Sequence, residues 1–270
     1  MYRVRSRGAG PPLLLLHGFT GSGAVWDALA PALARHHRLI MPDLLGHGGS
    51  SAPTDPARFA AERQIVDIMV VCRVLGVDRF HLLGYSMGAR LALAVAANCP
   101  DRIARLVLES GSPGIAEPLG RCERTRSDAV LAEAIERDGV AAFVMRWGRL
   151  PLFAAQSRLP EATQERQRRL RLRNRPEGLA ASLRGFGQGA QPPLHDALTR
   201  LPMPTLAVAG AEDAKYVRLG EEMAARLPRG RLVVMDGAGH TPHLEQPESF
   251  LAVMMSFLSE SESAASGPGA

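Results

Sequence analysis

Two hydrophobic rhythms alternate along the chain. Short unbroken apolar runs stop at glycine or polar residues, and longer stretches carry apolar residues three and four positions apart. Residues 11–16 (PPLLLL), Arg38-Leu39-Ile40-Met41-Pro42-Asp43, Phe80-His81-Leu82-Leu83-Gly84, Arg105-Leu106-Val107-Leu108-Glu109, 204–209 and 231–235 are of the first kind. They read as strands. Residues 24–36 (AVWDALAPALARH), about 59–76, Ala89 to Asn98, Glu221 to Leu227, and about Pro247 to Leu258 are of the second kind and read as helices. In 59–76, for example, Ile65, Ile68, Met69 and Cys72 share one helical face.

Strand followed by helix, repeated, predicts a mostly parallel sheet flanked by helices, an α/β fold. The rhythm breaks over about 115–190, where helical patterns run on without a strand. An inserted helical cap over 115–190 is therefore expected, carried by a core of 1–114 and 191–260. The last residues, SESESAASGPGA, are small and polar, and 261–270 are expected to form a disordered tail. No strand is assigned before residue 11, and no internal repeat is visible.

Composition narrows the function. At 270 residues and 46% hydrophobic, the chain can bury one sizeable core. The run Leu13 to Leu16 is far short of the roughly 20 apolar residues that span a bilayer. Arg3, Arg5 and Arg7 before it mimic the start of a secretory leader, but four leucines are too few for its apolar region. A cytoplasmic protein without membrane contact is expected. Cys72, Cys99 and Cys122 are odd in number and lack metal-ligand spacing, so they read as reduced thiols, with no metal or cofactor implied.

The net charge of +5 is unevenly spread. Between Arg121 and Arg184 stand fourteen arginines against eight acids, while the rest of the chain is nearly neutral. Lys215 is the only lysine. Without aromatic interleaving or a recognisable module, this basic segment does not read as a nucleic-acid surface; an anionic small molecule is the better partner. No signal of oligomeric state is present.

The chemistry gathers at predicted strand ends. Gly84-Tyr85-Ser86-Met87-Gly88 follows a strand and precedes a helix, the setting of a nucleophile elbow. Asp213 follows the 204–209 strand and His240 the 231–235 strand, giving the chain order Ser, Asp, His. The N–H of Met87 and, after the 11–16 strand, that of Phe19 are placed to form an oxyanion hole. Arg90 stands four residues beyond Ser86 and shares its helical face. A neutral ester gives no reason for a cation there. The bland alternative is a salt bridge to Asp43 or Glu109. His243 reads as a capping or surface histidine, Glu212 as secondary to Asp213, and Asp43 and His47 as loop-shaping residues. His36, His37 and His81 read as structural.

These features resemble the α/β-hydrolases, and within them the 2-succinyl-6-hydroxy-2,4-cyclohexadiene-1-carboxylate (SHCHC) synthases of menaquinone biosynthesis. The likeness runs through HGFTGS at 17–22, DLLGHGGS at 43–50, GYSMGAR at 84–90 and GAGHTPHLEQPESF at 237–250. More specific are RCERTRSD at 121–128, RWGRLPLF at 146–153, RPEGLAASLRGFGQGAQPPL at 175–194 and AGAEDAKYV at 209–217. Gln188 departs from the family's usual threonine, and His195 from its usual tryptophan. The resemblance implies a lyase that removes a ring proton and expels pyruvate from a tricarboxylate, using Ser86, His240 and Asp213. Charge on the succinyl oxygen would then fall to the N–H groups of Phe19 and Met87. It also implies substrate contacts from Tyr85, Arg90, Arg124, Trp147 and Arg173. Two other readings remain on the same residues: a serine hydrolase of esters or carbon–carbon bonds, and a ligand receptor.

Overall fold

The computed structural model describes residues 1–260, so the tail expected over 261–270 lies outside the described residues. Seven strands make one sheet: β1 (Val4–Arg7), β2 (Pro12–Leu16), β3 (Arg38–Pro42), β4 (Phe80–Tyr85), β5 (Ile103–Glu109), β6 (Thr205–Gly210) and β7 (Gly230–Met235). Their order is β1-β3-β2-β4-β5-β6-β7. β1 runs antiparallel to β3, and every other neighbouring pair is parallel.

The four leucines of β2 show why the central strands carry no polar alternation. Leu14 and Leu16 enter the core shared with helices α1 (Ala61–Val74) and α2 (Met87–Asn98). Leu13 and Leu15 enter the opposite core, with Trp26 and residues Phe250, Met254 and Phe257 of the last helix. All four are 0% exposed. Successive side chains of a strand point to opposite faces, so a sheet covered on both sides demands apolar residues throughout.

Two expectations are corrected. β1 was hidden by its charge: Val4-Arg5-Ser6-Arg7 is an edge strand, where polar residues are tolerated and discourage further pairing. Its Arg5 pairs with Asp27 at 2.7 Å. The helix expected over 24–36 is instead a 3-10 stretch, Gly23–Ala28, and one α turn, Ala30–Leu33. Pro31 lacks the N–H that a continuous helix needs there, and it sits in the first turn of the second piece.

Between β5 and β6 come α3 (Pro118–Trp147), a 3-10 stretch Pro151–Arg158, α4 (Glu161–Leu172) and α5 (Pro176–Phe186). No strand occurs among the described residues of 115–190. α3 bends at Gly139, whose φ of 78° lies in the left-handed region. Ala132, Ile135, Phe143 and Val144 of α3 pack on Leu179, Ala180 and Leu183 of α5, making a small core of their own. Two further helices, α6 (Ala214–Arg226) and α7 (Pro247–Ser259), complete the flanks. No described helix is long and apolar enough to cross a membrane.

Candidate active site

Ser86 stands between the last residue of β4 and the first of α2, with φ 51° and ψ −109°. That conformation is costly for a residue with a side chain and persists only where the surroundings over-determine it. Here they do. The Ser86 N–H donates to the Glu109 carbonyl at 2.8 Å, extending the β4–β5 ladder by one bond. A Cβ at Gly84 would strike the backbone of Gly88 and Ala89, and one at Gly88 would strike the carbonyls of Leu16 and His17. Glycine at both places lets α2 start hard against the sheet, with the Ser86 hydroxyl at its C-terminal edge.

Asp213 and His240 reach that edge from the loops after β6 and β7. His240 Nε2 lies 3.0 Å from Ser86 Oγ, and its Nδ1 lies 2.7 Å from Asp213 Oδ2. An ionised carboxylate can only accept, so Nδ1 carries the proton and Nε2 is left to accept from the serine hydroxyl. The His240 loop is pinned by its backbone: Ser110 Oγ donates to the His240 carbonyl at 2.9 Å, and the Gly239 N–H donates to Glu245 at 2.5 Å. The rings of Tyr216 and Tyr85 lie 4.6 and 5.6 Å from the imidazole.

The hydroxyl opens onto a cavity of about 160 Å³. Phe19, Tyr85, Met87, Arg90, Arg124 and Trp147 line it together with Ser86 and His240, so nearly all the sequence-derived candidates meet there. Among the described residues, neither the Phe19 nor the Met87 N–H donates to a backbone carbonyl. Phe19 is packed edge-on against His47 below and Trp147 above, at 5.6 and 5.5 Å. The hydroxyl of Tyr85 is 3.2 Å from that of Thr241.

Arg90 is 6% exposed, yet no described carboxylate lies within ion-pair reach of it. Asp43 is occupied by the N–H groups of Gly23 and Gly49, and Glu109 by His243, which removes the two acids considered as partners. The guanidinium instead donates to the Phe186 carbonyl at 3.0 Å and to Gln191 Oε1 at 2.9 Å, and it lies over the Phe186 ring. Burial pushes it down to about 10, still charged at neutral pH. Arg124 is held differently, by Asp128 at 2.8 Å and by Gln188 Oε1 at 2.7 Å. Gln188 in turn donates to the Tyr216 hydroxyl at 3.1 Å, so the departure from threonine at this position is part of the cavity wall.

Two placements differ from the sequence reading. Arg173 is not at this cavity: it caps the end of α4 and lines a separate one with Arg3, Asp43 and Arg166. Helical rotation is the reason: the inward face carries Arg171, whose guanidinium lies over Phe153 and lines a small neighbouring cavity of about 30 Å³ together with Tyr85 and Thr241. His243 is no surface cap; at 1% exposure it accompanies the wholly buried Glu109, 2.8 Å away, and packs against Trp26 and Tyr85.

Lys215, Tyr216, Phe153 and Phe186 also line the cavity; all four stand in the stretches that carry the family resemblance, but the sequence reading named none of them as a site residue. Lys215 could have been found: the single lysine of an arginine-rich chain stands two residues beyond Asp213. Burial first, then Arg124, lower its pKa, while Asp213 opposes them. No group of side chains able to hold a metal occurs among the described residues.

With this geometry in hand, three kinds of likeness are informative. A family profile described as the alpha/beta hydrolase fold matches residues 11–247. A protein of Bacillus subtilis (strain 168), provisionally named 2-succinyl-6-hydroxy-2,4-cyclohexadiene-1-carboxylate synthase, is 41% identical over 259 residues, covering 95% of this chain and 94% of that one. The synthase of that name from Salmonella paratyphi C (strain RKS4594) is 34% identical over 239 residues, 88% of this chain and 89% of its own. The structure of MenH from S. aureus superposes with a TM-score of 0.90 at 31% identity, over 95% of this chain and 97% of that one. A malate-bound thermophilic esterase from Thermogutta terrifontis follows with a TM-score of 0.81 at 30% identity, over 95% and 92%.

Proposed function

Because this chain belongs to the α/β-hydrolase fold family and, within it, to the SHCHC synthases, we propose that it eliminates pyruvate from 2-succinyl-5-enolpyruvyl-6-hydroxy-3-cyclohexene-1-carboxylate. It is a carbon–oxygen lyase of menaquinone biosynthesis. Ser86 acts as general base: its proton passes to His240 Nε2 as its oxygen takes the ring proton, while Asp213 holds the imidazole tautomer. Negative charge moves to the succinyl carbonyl oxygen, where the N–H groups of Phe19 and Met87 meet it. The electron pair then returns, the ring C–O bond breaks, and pyruvate leaves as its enolate and takes up a proton. A conjugated cyclohexadiene remains, and no acyl-enzyme forms.

The observation that carries this reading is the setting of Arg90. A guanidinium buried one helical turn behind the serine, with only neutral acceptors, is incompletely compensated. A substrate carboxylate supplies the missing charge and can accept two parallel hydrogen bonds. Arg124 serves a second carboxylate, Trp147 closes the apolar wall, and Tyr85 contacts the substrate from beside Ser86. Residues 115–190 act as the cap over a core of 1–114 and 191–260. Free thiols and kinship with bacterial biosynthetic enzymes support a cytoplasmic enzyme whose partner is a small polycarboxylate rather than nucleic acid.

The test follows pyruvate release and diene absorbance from the enolpyruvyl cyclohexene. Turnover by the wild type that is lost in both Ser86→Ala and Arg90→Ala supports the lyase. One observation favours a second reading: the elbow would serve a serine hydrolase equally well, and the Thermogutta esterase shares the fold at 30% identity. Aryl-ester turnover that survives Arg90→Ala, with no pyruvate released, would select it.

A further inference from the structure

Thr241, the residue after His240, is 1% exposed. Its Oγ1 accepts a hydrogen bond from Gln156 Nε2 at 2.8 Å and lies 3.2 Å from the Tyr85 hydroxyl. Gln156 Oε1 accepts from the Arg171 guanidinium at 3.1 Å. Tyr85 and Thr241 belong to the sheet and its loops; Gln156 and Arg171 belong to the helical insertion. No described carboxylate lies within ion-pair reach of Arg171, whose charge rests on the Phe153 ring at 5.2 Å.

Counting protons gives this chain of contacts a direction. A guanidinium only donates, so the Gln156 carbonyl must face Arg171 and its NH2 must face Thr241. Thr241 therefore accepts, and it still has one proton to give. Were Tyr85 to donate to it, that proton would be buried without an acceptor in this chain of contacts. With Thr241 donating to Tyr85 instead, the unspent proton is the phenolic one. Of the two residues, only Tyr85 also lines the cavity that holds Ser86 and Arg90.

We propose that Arg171, Gln156 and Thr241 are positioning residues, a hydrogen-bond relay that commits the Tyr85 hydroxyl to donate into the catalytic cavity. The proposal rests on the reading of that cavity as the site of the elimination. Each bond polarises the next, and a cation stands at the head, so the terminal donor is strengthened as well as aimed. The relay is complete only while the insertion is seated on the His240 loop. Seating and donor direction are thus one event.

A double-mutant cycle on the full-length protein tests this, with Gln156→Ala and Tyr85→Phe followed by pyruvate release. Each single change is expected to lower kcat about 10-fold while KM moves less, and the double variant to be no slower than Tyr85→Phe alone. Thr241→Val should reproduce the loss and Thr241→Ser should restore most of it. That pair carries the same cycle if Gln156→Ala fails to fold. Losses that simply multiply in the double variant would overturn the relay. A wild type that releases no pyruvate counts against the lyase reading instead; the cycle is then run on aryl-ester turnover, where coupling or its absence decides the relay in the same way.

Discussion

The floor and the roof of the cavity are held in place by different means. On the floor, Ser86, Asp213 and His240 each follow the end of a strand, and their spacing is inherited from ladder registers such as Leu16 with Gly84, Tyr85 with Glu109 and Gly210 with Met235. On the roof, Arg124, Trp147 and Phe153 ride on helices tied together by side chains, for instance Arg184 on Glu136 at 2.6 Å. A backbone ladder fixes atoms more closely than a set of side-chain contacts does. On the proposed function, chemistry that depends on a 3.0 Å hydrogen bond would sit on the floor, and recognition, which tolerates adjustment, on the roof.

If that division holds, floor variants lose kcat and roof variants lose KM. The largest effect is expected from Ser86→Ala, which removes the proposed base: pyruvate release should fall by about 1000-fold or more with little change in KM. Arg90→Ala comes next, about 100-fold in kcat/KM, because it removes the proposed charge-assisted contact to a substrate carboxylate. Arg90 belongs to the floor by its helix and to the roof by its bond to Phe186, so a loss divided between kcat and KM would place it at the seam.

The floor should also be the acid-labile half. Burial holds His17 down to about 4 and His47 to about 3, the latter also because His17 lies beside it. The unfolded chain therefore takes up these protons first. The stability they contribute is complete above about pH 6.5 and is lost as pH falls through 5 toward 4 and 3. Each imidazole should cost about 2 kcal/mol by pH 5. Urea midpoints measured from pH 7 to 5 check this, and a flat series would show that other groups compensate. Smaller effects belong to the roof. Arg124→Ala should raise KM about 10-fold. Gln188→Thr should change kcat/KM less than about 3-fold, because Asp128 still orients Arg124. A larger effect for Gln188 than for Arg124 would reverse the assignment of roof contacts.

What the sequence disclosed follows the same line. The unbroken apolar runs identified β2 to β6, because a sheet covered on both faces leaves little other choice of residues, and β7, the half-exposed second edge, showed by its own run Leu232 to Met235; the glycines flanking Ser86 marked the elbow for a steric reason visible in seven letters. The roof was harder to read. Arg171 and Arg173 are two positions apart on α4, and which of them faces inward depends on how that helix is rotated against Phe153, a tertiary fact absent from local pattern. β1 escaped for the opposite reason: an edge strand is free to be polar, so Val4 to Arg7 carries no alternation worth counting. His243 was misjudged because its partner, Glu109, lies at the end of a strand more than a hundred residues earlier.

Lys215 gives the molecule an unusual labelling property. Every other cationic side chain among the 32 basic residues is an arginine, so an acylating reagent that attacks amines finds the chain's N-terminus and one side chain. That side chain lines the catalytic cavity, and its lowered pKa leaves more of it as the reactive free base at mildly alkaline pH. A single mass increment at Lys215, and its suppression by whatever occupies the cavity, would turn an ordinary mass spectrum into a footprint of the active site.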